Sequence, residues 1–596
     1  MKNISWIYTI KYCLNSAWKT SKPYTIARIV IKMLIPIITL IASYITANIT
    51  NALAGQTTND SPENFFLFLM MSLVCVRILS MILSKIHMYI AFNHNELLER
   101  DINLNIMDIC TNSDIEMYDN PQYYDNLDLA KRDSQAIVNI LWSVLDFTSA
   151  MLSFLSVFII ICGNELLIAI IITLGTIPAA IISHYFTGKN YTLGVEQINE
   201  EREKYYYSGI SSEKVYSQII RINNLGDWIK RKYQGIWQKL FLQRKVLYRK
   251  TYILDTIVKV IPELVIVGAL INIGTKVIAG EYLIGYYALY TGLFSQLYAQ
   301  IVLTIENAMN IYDNKMKIEN ILTFNHVPHT IISGELPLGI IDTIEFKDVS
   351  FKYPASKMDV LNSISFIIEK GEKVALVGVN GSGKSTILKL MLRFYDPTCG
   401  HILINGQDIK EYEIKDLRAC IDCYFQNSIN LPFSIRKNVN MRNDEQCNVD
   451  DMAIASAMEL ACANDVLHQS HNNLSTHISR LFSKTGIELS EGQHQKIAIS
   501  RVFYNKMQLV IFDEPSSSLD PEAEDTIFKS IKETFEGKTV FFTSHRLTNL
   551  NLADKIIVLE DGKIIENGTK DELLSNRGRF YSLYQYQSEK FAVDKY

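Results

Sequence analysis

The sequence predicts two fold classes in tandem, an all-α domain of six membrane-spanning helices followed by an α/β layer domain. Three observations predict this. Six long apolar stretches crowd the first half of the chain. Strand-like and helix-like patterns then alternate from residue 344 onward. Within that second half, an apolar strand runs into a glycine-rich loop and then into a helix.

The 596 residues are enough for two or more domains. Hydrophobic residues make up 48% and charged residues 20%, an average over an apolar first half and an ordinary polar second half. A formal net charge of −5 argues against a nucleic-acid partner. The nine cysteines are scattered singly, apart from Cys420 and Cys423. No second CxxC or histidine pair completes a zinc set, so that pair reads as packing in a strand-to-loop segment. Unpaired thiols fit a reducing compartment, with no disulfide framework. Lys and Arg precede the first apolar run, but the run is too long for the core of a signal peptide.

A membrane span needs about 20 mostly apolar residues. The stretches 26–53, 64–92, 137–162, 164–186, 251–278 and 282–312 qualify, giving a membrane domain over 1–312. Only Gly163 and its neighbours separate the third and fourth, which predicts a tight helical hairpin. The polar stretches 93–136 and 187–250 are rich in Lys and Arg at helical spacing, whereas NALAGQTTNDSPEN after the first span has neither. The positive-inside rule puts the two basic stretches in the cytoplasm. An even number of spans returns the chain to that side, where 344–596 is expected. Lys32, Arg77, Asp255, Lys259, Glu263 and Glu306 interrupt the spans. Such charges face a bundle interior or a water-filled cavity. Asp255 and Lys259 stand four apart, as a helical ion pair does. Arg77, Glu263 and Glu306 are alternatively the lining of a polar translocation cavity.

Residues 313–343 read as a linker. In VALVGVNGSGKSTILKLM, residues 374–391, Gly378, Gly383, Lys384 and Ser385 match GxxxxGK[ST] between a strand and a helix. Asn380, Gly381, Ser382 and Thr386 complete the loop. Its glycines let backbone N–H groups approach phosphates, and the helix N-terminus favours their charge. Lys384 is expected at the β- and γ-phosphates of ATP, and the Ser385 hydroxyl on Mg²⁺.

QLVIFDEPSSSLD, residues 508–520, is an apolar strand ending in two carboxylates. Asp513 is expected to orient Mg²⁺ and Glu514 to polarise the attacking water, since phosphoryl transfer asks mainly for positioning. TVFFTSH, residues 539–545, ends a further buried strand in His545, a candidate γ-phosphate contact. In LSEGQHQKIAIS, residues 489–500, Ser490 and Gln493 have the spacing of a capping box at a helix start. Glu491 at the first turn suits the helix dipole.

With six spans ahead of them, these motifs occur in a telling order. The chain resembles a half-transporter of the ABC exporters of type IV fold, over essentially its whole length. LSEGQ is similar to that family's LSGGQ signature, with Glu491 in place of the first glycine. The resemblance implies that Ser490, Gly492 and Gln493 of one copy close on the phosphate loop of another, so a homodimer with two identical ATP sites is expected. It also implies that Tyr353 in FKYP stacks on adenine, that Gln426 in CYFQN senses Mg²⁺, and that Asp520 ends a loop that communicates across the dimer. The two intracellular stretches are implied to press on the nucleotide domains and drive alternating access.

Among exporters, YDNPQYYDNLDLAKRDS, IIRINNLGDWIKRKY and LSTHISRLFSKTGIELSEGQHQKIAISR are similar to bacterial lantibiotic and peptide exporters. The segment ahead of the signature departs from the usual TxVGE, with no clear match at Arg480 to Lys484. About two dozen residues precede the first span, so a separate leader peptidase is expected, alongside enzymes that modify the peptide. The expected setting is a bacterial cell membrane, with both termini cytoplasmic. A drug or lipid exporter of the same architecture is the alternative cargo reading. An ATP-regulated channel or receptor that no longer pumps is the alternative of another class.

Overall fold

The computed structural model describes residues 5–56, 62–325, 329–354, 356–441, 450–515, 519–544 and 547–593. They fall into two compact units, residues 1–112 with 124–327, and residues 113–123 with 328–596.

The first unit is helical. Six of its helices are long and apolar enough to cross a membrane: Lys22–Leu53, Glu63–Asn112, Ala136–Gly163, Glu165–Glu196, Gly226–Ile278 and Ile284–Glu319. Several outrun the apolar stretches, because their helical pattern continues into the charged segments beyond a bilayer's depth. The last helix reaches Phe324 and so takes up the beginning of the stretch read as a linker. Phe68, Met71, Val74 and Met81 point outward from the second span, as on a helix that is apolar all round. The interior is a cluster of Val157, Ile161, Ala169, Ile172, Phe294 and Leu297.

The third and fourth spans are divided by one non-helical residue, Glu165, at φ −133° and ψ 54°. Its carboxylate pairs with Lys276 and accepts from the Tyr282 hydroxyl at 3.2 Å. Two further intramembrane ion pairs form. Lys32 meets Asp146, and Lys259 meets Asp255 at 2.9 Å. Arg28, which hydropathy did not single out, is 4% exposed and lies over the Trp142 ring, 2.9 Å from its centroid. It donates to Asn95 Oδ1 at 2.9 Å, and Trp142 Nε1 donates to the same oxygen at 2.7 Å. A buried cation needs this compensation by a ring face and a dipole.

The described residues of the second unit form ten strands, β1 (Thr343–Phe351), β2 (Leu361–Glu369), β3 (Lys373–Gly378), β4 (Cys399–Ile404), β5 (Gln407–Asp408), β6 (Ile421–Tyr424), β7 (Leu509–Asp513), β8 (Thr539–Thr543), β9 (Lys555–Glu560) and β10 (Lys563–Gly568). A four-stranded antiparallel sheet has the order β2-β1-β4-β5. A six-stranded sheet has the order β10-β9-β3-β8-β7-β6, parallel except for β10 at its edge.

Every residue of β7 and β8 is buried, the mark of strands covered on both faces. Alternation divides their side chains between two cores. Val374, Leu376, Leu509, Ile511 and Phe541 enter one. Ala375, Val377, Val510, Phe512 and Phe542 enter the other. Cys420 and Cys423 border the first core, and burial pushes the Cys423 thiol up well above its ordinary pKa, as fits packing.

Phe541 is fully buried and stacks toward Phe366 with ring centroids 6.4 Å apart. Truncation of such a ring costs about 3–5 kcal/mol. F541A is expected to lower the unfolding midpoint of the nucleotide-binding unit by about 10 °C, read by differential scanning calorimetry of the full chain.

Candidate functional site

Register does the first part of the positioning. Asp513 at the end of β7 pairs with Thr543 at the end of β8. β3 pairs with β8 through Leu376 and Thr543, and its last residue, Gly378, pairs with Leu559 of β9. Three parallel strands therefore finish along one edge, where open α/β sheets bind ligands.

The loop that leaves β3 depends on its glycines. A Cβ on Gly378 would stand 2.4 Å from the Leu559 carbonyl oxygen and 2.6 Å from Ser382 Oγ. Gly383 has φ +108°, and its Cβ would stand 2.7 Å from Leu361 Cδ2. Both positions thus exclude a side chain, so the loop can curl tightly into the helix Lys384–Met391. Gly381 differs: at φ +80° its Cβ would meet nothing within 4 Å, leaving that backbone face open.

A cavity of about 370 Å³ opens there, lined by Asn380, Gly381, Gly383, Lys384, Ser385, Thr386, Gln426 and Glu514, all expected site residues, together with Val360. Lys384 is 6% exposed, and its ammonium donates to the carbonyls of Gly378 at 2.8 Å and Val379 at 3.2 Å. Burial pushes its pKa down, while Glu514 and Asp513 act the other way. Ser382 Oγ is buried without a hydrogen-bond partner. A buried ammonium, an unpartnered hydroxyl and an open backbone face fit a polyphosphate.

Asp513, Thr543, Glu514 and Gln426 form a single chain of hydrogen bonds. Thr543 Oγ1 donates to Asp513 Oδ1 at 2.8 Å and accepts from the Glu514 amide at 3.0 Å. Gln426 Nε2 donates to Glu514 Oε2 at 2.7 Å. Glu514 has φ +51°, a conformation that costs a non-glycine residue about 1–3 kcal/mol. That turn takes its carboxylate off the strand line and into the cavity. Ser385 is exposed to the same space. A hydroxyl, an amide and a carboxylate beside a phosphate site are donors that suit Mg²⁺, which takes few protein ligands and fills its shell with phosphate and water. Thr543 was missed in the sequence, although its place two residues before His545 is a usable signal. Gln495 was missed too; it ties the signature helix to Pro515 through Nε2 and the carbonyl at 2.7 Å.

The remaining expected residues lie elsewhere. Tyr353 does not line the cavity, but its hydroxyl is 3.2 Å from Thr386 Oγ1. Ser490 caps the helix Glu491–Asn505 in a complete capping box with Gln493. The Ser490 amide donates to Gln493 Oε1 at 3.0 Å, and the Gln493 amide to Ser490 Oγ at 3.3 Å. Gln493 Nε2 also reaches Asp465 at 3.0 Å. Ser490 and Glu491 are exposed, and none of Ser490, Gly492 and Gln493 lines the cavity. Asp520 caps Pro521–Thr534, accepting from the Ala523 amide at 2.8 Å, and this bond holds its carboxyl below the usual range. His545 lies outside the described residues.

In the membrane unit, a polar cavity of about 390 Å³ is lined by Asp255, Lys259, Glu306 and Asp313 among others, without Arg77 or Glu263.

A model of the ABC transporter family matches residues 361–517. The chain carries an ABC transporter domain. A domain of that family binds ATP and implies ATP hydrolysis coupled to transport. A bacterial Atm1-family ABC exporter solved with ATP bound superposes with a TM-score of 0.82 at 18% identity, over 95% of this chain and 98% of that one. The fold is therefore that of an ABC exporter, and with six apolar helices the chain is a multi-pass membrane protein. The subtilin transport ATP-binding protein SpaT of Bacillus subtilis is 27% identical over 480 residues, 79% of this chain and 77% of that protein. The exotoxin translocation ATP-binding protein PaxB of Pasteurella aerogenes is 33% identical over 52% of the chain. The mitochondrial iron-sulfur clusters transporter ATM1 of Kluyveromyces lactis is 34% identical over 49%. The chain spans only 43% and 41% of the last two proteins.

T543V keeps the shape of the buried side chain while removing the bond to Asp513 and the acceptor for the Glu514 amide. It is expected to lower kcat about ten-fold, through about 1–3 kcal/mol of unmet polar groups. Phosphate release at saturating ATP measures this.

Proposed function

We propose that the chain is an ATP-driven exporter that works by alternating access as a homodimer and carries a modified peptide out of a bacterial cell. The observation that carries the dimer is the signature helix. Its capped N-terminus is exposed, and its residues do not line the chain's own ATP cavity. A helix start gathers unpaired N–H groups and a positive dipole end, which suit a γ-phosphate supplied by a second copy. Glu491 points into solvent at that helix's first turn, while Ser490 and Gly492 make the approach.

Within each site, Lys384 neutralises phosphate charge, Ser385, Gln426 and Asp513 hold Mg²⁺, and Glu514 orients and polarises the attacking water. His545 contacts the γ-phosphate. Held by Ser385, Gln426 and Asp513, Mg²⁺ would supply neutralisation of phosphate charge. The basic stretches 93–136 and 187–250 support a cytoplasmic position for the nucleotide-binding unit. The breadth of the match to the subtilin transport protein supports a peptide cargo.

E514Q removes the polarising carboxylate but keeps the amide oxygen toward Gln426. It is expected to lower kcat by about a thousand-fold while the chain still binds ATP, measured by phosphate release and by nucleotide titration. Wild-type chain in liposomes is expected to accumulate a modified cationic peptide in the lumen on addition of ATP. Accumulation of a hydrophobic dye in its place would replace the peptide reading with the drug-exporter one.

A further inference from the structure

Residues 113–123 belong with the nucleotide-binding unit, although the chain on both sides of them belongs to the membrane unit. Three carboxylates tie them there, one of them Glu116, whose Oε2 accepts from the Thr330 hydroxyl at 3.0 Å. Asp114 Oδ2 accepts from the amides of Thr330 at 2.6 Å and Ile331 at 3.1 Å. Asp119 Oδ2 accepts from the hydroxyl of Tyr395 at 2.7 Å. Tyr395 is 3% exposed and sits between the helix Lys384–Met391 and β4. Burial, reinforced by Asp119 as acceptor, holds its phenol protonated far above the ordinary range, so it stays a donor.

The contacts continue past Tyr395. Its ring meets the Tyr353 ring edge-on, with centroids 5.3 Å apart at 86°, a favoured aromatic geometry. Lys389 Nζ lies 5.1 Å from the Tyr353 centroid and 5.8 Å from that of Tyr395. It also donates to the Tyr353 hydroxyl at 3.3 Å. That hydroxyl is 3.2 Å from Thr386 Oγ1, and Thr386 lines the ATP cavity. An unbroken path therefore leads from Asp119 to the ATP site.

We propose that Asp119 and Tyr395 are positioning residues that hold the Tyr353 ring against the purine base, so that residues 113–123 set the affinity for ATP. The proposal rests on the reading of Tyr353 as the base-stacking residue. Without the Asp119 bond, the edge of Tyr395 is free to shift, and the ring packed on it shifts too. The chain runs directly from the span Glu63–Asn112 into this segment, so displacing that helix displaces Asp119. By linkage, bound ATP favours the placement of residues 113–123 that favours ATP.

The test is ATP hydrolysis by the full chain in lipid nanodiscs, titrated with MgATP. Y395F keeps the ring and deletes the donor, D119A deletes the acceptor, and D119N keeps an acceptor oxygen. Y395F and D119A are expected to raise KM for ATP about five-fold, the size of one hydrogen bond, with kcat within about two-fold of wild type. D119N is expected to retain the wild-type KM. Y353A is expected to raise KM, and Y395F added to Y353A to raise it no further. If Y353A raises KM while Y395F and D119A leave it unchanged or lower only kcat, the positioning role is overturned and base stacking by Tyr353 survives. If Y353A itself leaves KM unchanged, the base-stacking reading fails and the proposal falls with it.

Discussion

The in-register parallel pairing of β3, β7 and β8 is the constraint on which the ATP site depends. It sets Asp513 beside Thr543 and brings the end of β3, where the phosphate loop starts, to the same edge. A one-residue slip in such a sheet sends every side chain to the opposite face. Phe541 and Phe542 would exchange cores, and the Asp513 to Thr543 bond would be lost. Packing on both faces of the sheet therefore specifies chemistry at its end.

On that edge, the electrostatics are arranged around an anion. The Lys384 ammonium is buried on two main-chain carbonyls, and Glu514 is held at positive φ by an amide that reaches Thr543. The strain at Glu514 is small beside the barrier reduction asked of an ATPase, which runs to about 8 kcal/mol or more. It directs the Glu514 carboxylate into the cavity, where the proposed mechanism needs a group to orient water. Gln426 touches that carboxylate directly, so a change in the loop after β6 reaches the group proposed to orient water.

Much of this was legible in the sequence, because the motifs are local. GxxxxGK[ST] between strand and helix, paired carboxylates at a strand end and a capping box each specify geometry within a few residues. The six spans were legible because a bilayer demands length and apolarity together. Their ends were not, since hydropathy stops where the lipid stops while the helix Gly226–Ile278 begins well before its apolar part. Nor was the Arg28, Trp142 and Asn95 cluster, or the bond from Asp119 to Tyr395 across 276 residues. Pairs that the fold brings together from distant positions leave no periodic trace in one sequence.

On the proposed reading, two copies of the chain complete each ATP site. Ser490 and Asn380 are both exposed, one at the signature helix and one on the phosphate loop. The direct measurement is disulfide formation in an N380C/S490C chain carrying E514Q, with the native cysteines replaced by serine. A covalent dimer that forms with MgATP and is absent without nucleotide is the predicted result. A disulfide within single chains, or no dimer in saturating MgATP, would contradict the account.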